Sequence, residues 1–135
     1  MNRLSDEIEH SMFGLREGSE GVIEAHFSFP PEFIGFQGHF PGKPILPGVC
    51  KIQATLLILK TWKRKKVALK EIVLAKFFSP VTCGQEVVFT CRECKSGGSR
   101  ETLIKALVES EGKKVAELHL KVVISPEEGG SCIAE

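Results

Sequence analysis

One apolar helix constrains the fold of this chain more than any other feature of its sequence. Beginning at Gly48, apolar residues recur every three or four positions, and further apolar residues widen the stripe. The stripe consists of Val49, Ile52, Leu56, Leu57, Ile58 and Leu59. A helix with so little polar surface should be largely buried, and a sheet that curls around it buries it naturally. The sequence therefore predicts an α+β fold in which a curved antiparallel sheet wraps around one long central helix.

Alternation of apolar and polar residues predicts five strands, one before the helix and four after it. The predicted strands span residues 21–29, 66–78, 86–94, 101–109 and 114–124, with turns at 95–99 and 110–113. His26 and His119 fall on the polar faces of their strands, so both are expected to be solvated. The pattern does not fix the order of the strands in the sheet.

The two ends of the chain carry weaker patterns. Residues 1–18 form a polar segment in which Ser5 and the acidic residues after it predict the start of a short helix carrying Ile8 and Met12. Residues 125–135 are predicted to be a loose tail. A length of 135 residues fits one domain, and we expect residues 1–135 to form it.

Charge and hydropathy exclude several classes of function. The net charge of +1 argues against a general nucleic-acid-binding protein, which would be strongly basic. No apolar run reaches the roughly 20 residues that a helix needs to cross a bilayer. The N-terminal segment mixes charges and lacks the apolar core of a signal peptide. We therefore expect a cytoplasmic protein that binds neither nucleic acid nor membranes.

The cysteines do not predict a metal site. Five cysteines in a chain without a secretory signal suggest free thiols. Cys91 and Cys94 have C-x-x-C spacing, but no second pair of ligands stands at the distance that a structural zinc site needs. Both also fall in a predicted strand, where residues three apart point to opposite faces. We expect no metal and no cofactor.

The loop before the helix has an unusual composition. Residues 38–49 contain three prolines and three glycines around a single histidine, His39. Prolines fix φ and glycines open other backbone angles, so a stiff loop of specific shape is expected. A histidine held near a helix N-terminus combines a proton acceptor with a place for developing negative charge, as an active site requires. The alternative interpretation is a tight loop around a buried, hydrogen-bonded histidine.

This loop resembles a known family motif. Residues 39–44 read His-Phe-Pro-Gly-Lys-Pro, and residues 47–49 read Pro-Gly-Val at the start of the helix. The motif is similar to that of the hotdog-fold 3-hydroxyacyl-[acyl-carrier-protein] dehydratases of the FabZ and FabA type. Residues 36–38 and 76–85 also resemble that family, and the likeness covers residues 21–124. The resemblance implies a hotdog fold and a homodimer, or a larger assembly of dimers, with the active site between subunits.

The resemblance also implies roles for individual residues. His39 matches the family's general base, which removes the proton next to the thioester carbonyl. Phe40, Pro41, Gly48 and Val49 are expected to contact the substrate. Gly48 and Val49 would do so through backbone N–H groups near the helix start, which are suited to polarising a substrate oxygen.

The family's general acid is missing from this chain. The resemblance places a carboxylate of the partner subunit fourteen residues after the histidine, and that position holds Gln53. A carboxamide has no titratable proton, so Gln53 can orient the substrate hydroxyl or a water but cannot protonate a leaving hydroxide. Loss of a general acid lowers a rate by about 10²–10⁴. The alternative interpretation is a core amide that bonds a backbone group.

A basic run follows the helix and has two interpretations. Lys63, Arg64, Lys65 and Lys66 close the helix and begin the next segment. Acyl carrier proteins are acidic, so these cations are suited to steering one toward the site. The alternative is a solvated helix end, where cations suit the helix dipole.

Three functions remain open. The leading hypothesis is dehydration of 3-hydroxyacyl thioesters, with an acyl thioester on acyl carrier protein as the substrate, in fatty-acid or polyketide metabolism. The substitution of glutamine for the acid favours a second hypothesis, a non-catalytic hotdog module that binds acyl thioesters. Hotdog folds also support acyl thioester hydrolysis, which is the third, but fold alone is weak support for an activity.

Overall fold

The fold is a single antiparallel sheet with two helices. The computed structural model describes residues 3–36, 45–94 and 101–125. Its helices are α1 (Arg3–Ser11) and α2 (Gly48–Lys63), and a short 3-10 turn covers Ile34–Phe36. The strands are β1 (Met12–Glu17), β2 (Val22–Ser28), β3 (Lys66–Phe77), β4 (Glu86–Cys94), β5 (Glu101–Ser110) and β6 (Lys113–Ser125). They lie in the order β1-β2-β4-β5-β6-β3, and every neighbouring pair is antiparallel. The predicted α+β class is confirmed.

The core forms between the concave face of the sheet and α2. Alternate residues of β2 and β4 are fully buried, and Phe27 and Phe89 meet edge to face with ring centroids 5.0 Å apart. Ala54 and Ile58 of α2 have no exposed surface and belong to the same cluster. Strand alternation therefore supplies the apolar face that the helix covers, as the sequence pattern predicts.

The helix turns a different side to the core from the one the apolar stripe predicts. Val49 is 57% exposed, whereas Lys51 is 3% exposed and Thr55 is fully buried. The buried Thr55 hydroxyl forms a hydrogen bond within the helix, donating to the carbonyl oxygen of Lys51 at 2.9 Å. Small residues such as Cys50 and Ala54 permit close approach to the sheet. Of the predicted stripe, Val49 is consequently left exposed, whereas Ile52 and Leu56 are partly buried against the edge of the core.

The N-terminal segment holds a strand that the sequence does not predict. The expected short helix forms as α1 with Ile8 only 1% exposed, but it ends at Ser11, so the prediction that it carries Met12 is wrong. Residues 12–17 then form β1 at one edge of the sheet, where Met12 lies opposite Phe27 and Glu17 opposite Ile23. Nearly all of β1 is exposed, so it lacks the alternating burial that marks a strand in sequence.

The remaining boundaries agree with the sequence pattern to within one or two residues. The β5–β6 hairpin turns at Glu111 and Gly112, which have φ of 52° and 76° as a two-residue turn of type I′ requires. The expected turn at 95–99 and the tail after Ser125 lie outside the described residues. Within the residues that the structure does describe, no helix is both long enough and apolar enough to span a membrane.

Strand β3 forms the other edge of the sheet and exposes apolar side chains. Leu69 and Ile72 lie opposite Val122 and Leu120, which are fully buried on the core side. Residues directly opposite in a ladder share a face of the sheet. Leu69 and Ile72 therefore point toward the core side, yet they remain 37% and 47% exposed. The described part of one chain does not cover this end of its own core.

Candidate functional site

The residues just before α2 bond to residues 81–82, which belong to the segment 76–85 that also resembles the family. His39, Phe40 and Pro41 lie outside the described residues. The description resumes at Ile45, which bridges Thr82, and the N–H of Leu46 donates to the carbonyl oxygen of Val81 at 2.8 Å. Residues 45–46 and 81–82 are thus held together immediately before α2 begins. The loop before α2 and the segment 76–85, which resemble the family separately in sequence, therefore meet at these residues.

The first residues of α2 carry backbone N–H groups that have no acceptor within the helix. Pro47 caps the helix with extended angles (φ −66°, ψ 153°), and no side chain caps it. The carbonyl oxygen of Pro47 accepts from the N–H groups of Cys50 and Lys51, at 3.1 and 3.4 Å. The N–H groups of Gly48 and Val49 precede these and have no acceptor within the helix. Of the four residues expected to contact the substrate, Gly48 and Val49 therefore carry N–H groups of the kind that can bind an anionic oxygen at a helix start.

Gly48 permits a close approach of the helix to an aromatic ring. A Cβ at this position would lie 2.7 Å from Cζ of Phe77, closer than side chains pack. Phe77 and Phe78 are each half exposed. With Ile45, Pro47, Gly48 and Lys51 they line a cleft of about 420 Å³. This cleft is the candidate substrate site in the described residues.

Lys51 is a member of this cleft that sequence reasoning missed. Its ammonium donates to the carbonyl oxygen of Leu46 at 3.3 Å and lies 5.1 Å from the centroid of the Phe77 ring. Burial lowers the pKa of the Lys51 ammonium. A lysine within an otherwise apolar helix start was the available signal, but the predicted stripe gave that side of the helix to solvent.

Gln53 lies on another side of α2. It is half-buried and lines a separate cavity of about 160 Å³ together with Ser5 and Ile8 of α1 and Val67 of β3. The structure therefore does not bring Gln53 into the Gly48 cleft of the same chain. In the arrangement implied by the resemblance, the residue at this position serves the site of the partner subunit.

The four residues of the basic run differ in their contacts, because Lys63 is paired whereas the side chains after it are exposed. The ammonium of Lys63 lies 2.7 Å from the Glu93 carboxylate and 4.3 Å from the Trp62 ring centroid, so its charge is largely engaged. Arg64 ends the helix in the left-handed conformation (φ 55°) and donates its N–H to the carbonyl oxygen of Lys60. Arg64, Lys65 and Lys66 have exposed side chains.

The expectation that His26 is solvated is wrong. The ring is 24% exposed and lies between two carboxylates, with Nδ1 2.6 Å from Glu86 and Nε2 2.8 Å from Glu24. These hydrogen bonds, the one to Glu86 foremost, raise the pKa of His26. His119 is likewise 22% exposed, and its Nε2 lies 3.3 Å from Glu117. Alternation correctly gave the polar face of each strand but not the carboxylate partners on that face, of which Glu86 lies across on β4 whereas Glu24 and Glu117 lie two residues away on the same strand.

The C-x-x-C pair does not converge. Cys91 is fully buried, and burial raises the pKa of its thiol to about 12, whereas Cys94 is only half-buried on the other face of β4. Over the described ranges, no three histidine, cysteine, aspartate or glutamate side chains group as metal ligands would.

Comparison with known proteins now identifies the family. A family model described as ApeI-like, ApeI dehydratase, matches residues 15–127. The chain belongs to the ApeI-like dehydratase family. A 3-hydroxyacyl-[acyl-carrier-protein] dehydratase FabZ of Sulfurovum sp. is 36% identical, with 90% of this chain and 85% of the relative covered. FabZ of Clostridium acetobutylicum is 33% identical over 90% of this chain and 86% of the relative.

Solved structures of other proteins share the fold of this chain. The dehydratase heterocomplex ApeI:P of Xenorhabdus doucetiae contains a chain with a TM-score of 0.72 at 18% identity, covering 83% of this chain and 96% of that one. A hypothetical thioesterase of Streptococcus pneumoniae, solved with coenzyme A, has a TM-score of 0.67 at 4% identity, covering 87% and 88%. At such identities the likeness concerns the fold alone. The predicted hotdog fold and FabZ-like dehydratase family are confirmed.

Proposed function

We propose that this protein dehydrates 3-hydroxyacyl thioesters carried on acyl carrier protein. The observation that carries the proposal is the cleft at the start of α2, which Gly48 and Lys51 line together with the aromatic side chains of Phe77 and Phe78. Membership of a dehydratase family and similarity to FabZ proteins support the same reaction class. No cofactor enters the proposed chemistry, because proton transfer and charge stabilisation suffice for it.

The proposed reaction uses one titrating side chain. His39 removes the C2 proton, Phe40 and Pro41 contact the substrate, and the N–H groups of Gly48 and Val49 hold the thioester oxygen. The imidazolium of His39 then returns its proton to the departing 3-hydroxyl, which leaves as water. Gln53 of the partner subunit orients that hydroxyl through its amide, which needs no titratable proton.

The proposed reaction takes place in a homodimer. A second copy is the proposed occupant of the apolar edge formed by Leu69 and Ile72 of β3, which face the core side yet lack cover. Val49 of α2, at 57% exposed, is a further apolar side chain that the described residues leave uncovered. An edge strand twelve residues long with exposed apolar side chains favours pairing with another chain. We place the enzyme in the cytoplasm, as the sequence predicts.

Gln53 favours a second candidate, a non-catalytic module that binds acyl thioesters. A panel of carrier-linked 3-hydroxyacyl substrates, followed at the ultraviolet absorbance of the 2-enoyl thioester, separates the two. Dehydration predicts turnover by the wild type that His39→Ala lowers by at least about 10². Binding without turnover, together with turnover restored by Gln53→Glu, would support the module instead. Release of free thiol from the same panel would indicate a thioesterase.

A further inference from the structure

Lys51 occupies an electrostatically unfavourable position. It is the fourth residue of α2 and is 3% exposed, so its ammonium is largely removed from water. A cation near a helix N-terminus also lies at the positive end of the helix dipole. The lowered pKa of this ammonium is the expected response to such surroundings.

The described neighbours do not neutralise this charge. The ammonium has one acceptor among them, the carbonyl oxygen of Leu46 at 3.3 Å, and it contacts the face of the Phe77 ring. An ammonium carries three donors, so hydrogen-bonding capacity remains. Of the titratable groups in the described ranges, Cys50 is the one that would act on this charge, but burial raises the pKa of its thiol to about 11, so the thiol is neutral near pH 7. The position holds a cation without a described counter-ion.

Packing alone does not explain a lysine at this position. A methionine or leucine would fill a similar volume, and an uncompensated buried charge destabilises a fold by several kcal/mol. A lysine is advantageous here when an anionic group enters the cleft. The cleft of about 420 Å³ that Lys51 lines with Gly48 and Phe77 has room for such a group. The ring face also excludes water, which strengthens an ionic contact.

We propose that Lys51 acts with the N–H groups of Gly48 and Val49 to bind the negatively charged oxygen formed when an acyl thioester loses its C2 proton. The inference rests on the proposed dehydration and deepens it. When His39 takes the C2 proton, the C–H electron pair forms a C1–C2 double bond and the carbonyl π pair moves to oxygen. That oxygen lies against the ammonium and the helix start. The electrons then return, the C2–C3 double bond forms, the C3–O bond breaks, and the His39 proton completes water.

A non-dehydratable substrate isolates this step. A saturated acyl thioester on carrier protein, without the 3-hydroxyl, exchanges its C2 protons in deuterated water only when the enolate is stabilised. Mass spectrometry then compares the wild type with Lys51→Met, which keeps the volume, and Lys51→Arg, which keeps the charge. Lys105→Met is the matched control, because Lys105 is exposed on β5. Dehydration of the 3-hydroxyacyl substrate is measured on the same four proteins.

The inference expects Lys51→Met to slow exchange by about 10²–10³, with more activity kept by Lys51→Arg and full activity by Lys105→Met. In dehydration, kcat should fall while KM changes little. The decline of wild-type exchange at high pH, where the ammonium deprotonates, should be absent from Lys51→Met. Thermal unfolding of Lys51→Met at or above the wild-type temperature establishes that the variant folds.

The remaining outcomes separate the two proposals. Wild-type exchange that Lys51→Met leaves unchanged overturns the role of Lys51 but not the dehydration. If the wild type dehydrates its substrate but exchanges no C2 protons of the saturated thioester, the role of Lys51 is likewise overturned and the dehydration stands. A wild type that neither dehydrates nor exchanges overturns the proposed function and this inference with it.

Discussion

Gly48 at the start of α2 lies directly against the ring of Phe77 at the end of β3. A Cβ on Gly48 would come within 2.7 Å of the ring carbon Cζ. The contact joins the Pro-Gly-Val motif to the segment after β3 and sets the width of the cleft between them. The start of α2 therefore lies close to the aromatic wall of the site.

Gly48→Ala should widen or distort this cleft. The Phe77 ring must move to admit the added methyl, and a displacement of about 1 Å at a reacting centre lowers rates by about 10². The ring is half exposed and has room to move, so the free energy of unfolding should fall by only about 1–2 kcal/mol. Enoyl thioester formation and urea unfolding measure the two effects.

The control for this prediction is a double-mutant cycle. Phe77→Leu removes ring atoms that the methyl would meet, so Gly48→Ala with Phe77→Leu should be more active than the sum of the single effects predicts. Strictly additive losses would show that the contact does not shape the site.

Ile72→Lys should convert the proposed dimer to a monomer. Ile72 lies opposite the buried Leu120 yet is 47% exposed, so a second chain is needed to cover it. A lysine there would place an unpaired charge in the interface, which opposes pairing of edge strands. Analytical ultracentrifugation at micromolar concentration gives the mass. Leu15→Lys, on the exposed β1 at the opposite edge, is the matched control and should stay dimeric.

A wild type that sediments as a monomer, or a dimer that Ile72→Lys leaves intact, would contradict this interface. Dehydration should fall with the dimer, because Gln53 of the partner is proposed to complete the site.

The sequence predicts most of the fold but not the side of the central helix that faces the sheet. Period-two alternation located β2, β4, β5 and β6 to within two residues because one face of each strand is buried by its own chain. It could not reveal β1, whose side chains are nearly all exposed. The apolar stripe predicted burial of Val49, which is 57% exposed, and left Lys51 and Thr55 to solvent, although both are buried, because hydrophobicity does not reveal which side of a helix packs against the sheet.

The candidate site shows the same limit. A local motif predicted Gly48 and Val49, whose backbone groups at the helix start are proposed to contact the substrate. Lys51 was missed because its function would depend on contacts with Leu46 and Phe77, which only the packed structure brings together.

His26 should make the stability of the protein depend on pH near neutrality. Glu86 and Glu24 raise its pKa above the value of about 6.5 in the unfolded chain. A raised pKa contributes stability that is fully present below pH 6.5 and is lost as the pH rises through the folded value. The loss should not exceed about 1 kcal/mol, since the pairs are partly exposed. Urea unfolding at pH 6 and pH 9 measures it.

Glu86→Gln provides the control because it removes the stronger partner while His26 remains. This variant and His26→Gln should both show a weaker fall in stability between these pH values than the wild type. If the wild type and His26→Gln have parallel profiles, the two carboxylates do not act on the histidine in solution.

Neutralising the exposed part of the basic run should weaken binding of the acidic carrier protein. Lys63 is engaged by Glu93, so Arg64 and Lys65 are the better candidates for docking, with Lys66 at the start of β3 beside them. Arg64→Gln combined with Lys65→Gln should raise the Kd for carrier protein several-fold at about 20 mM salt. The difference should vanish near about 0.5 M salt, because salt screens interactions between exposed charges. Isothermal titration calorimetry provides the measurement. Arg92→Gln with Lys105→Gln removes the same charge from an exposed cross-strand pair on β4 and β5 and should leave the Kd unchanged. Equal weakening by both pairs would indicate attraction to net charge alone, and no change in either would remove the docking role.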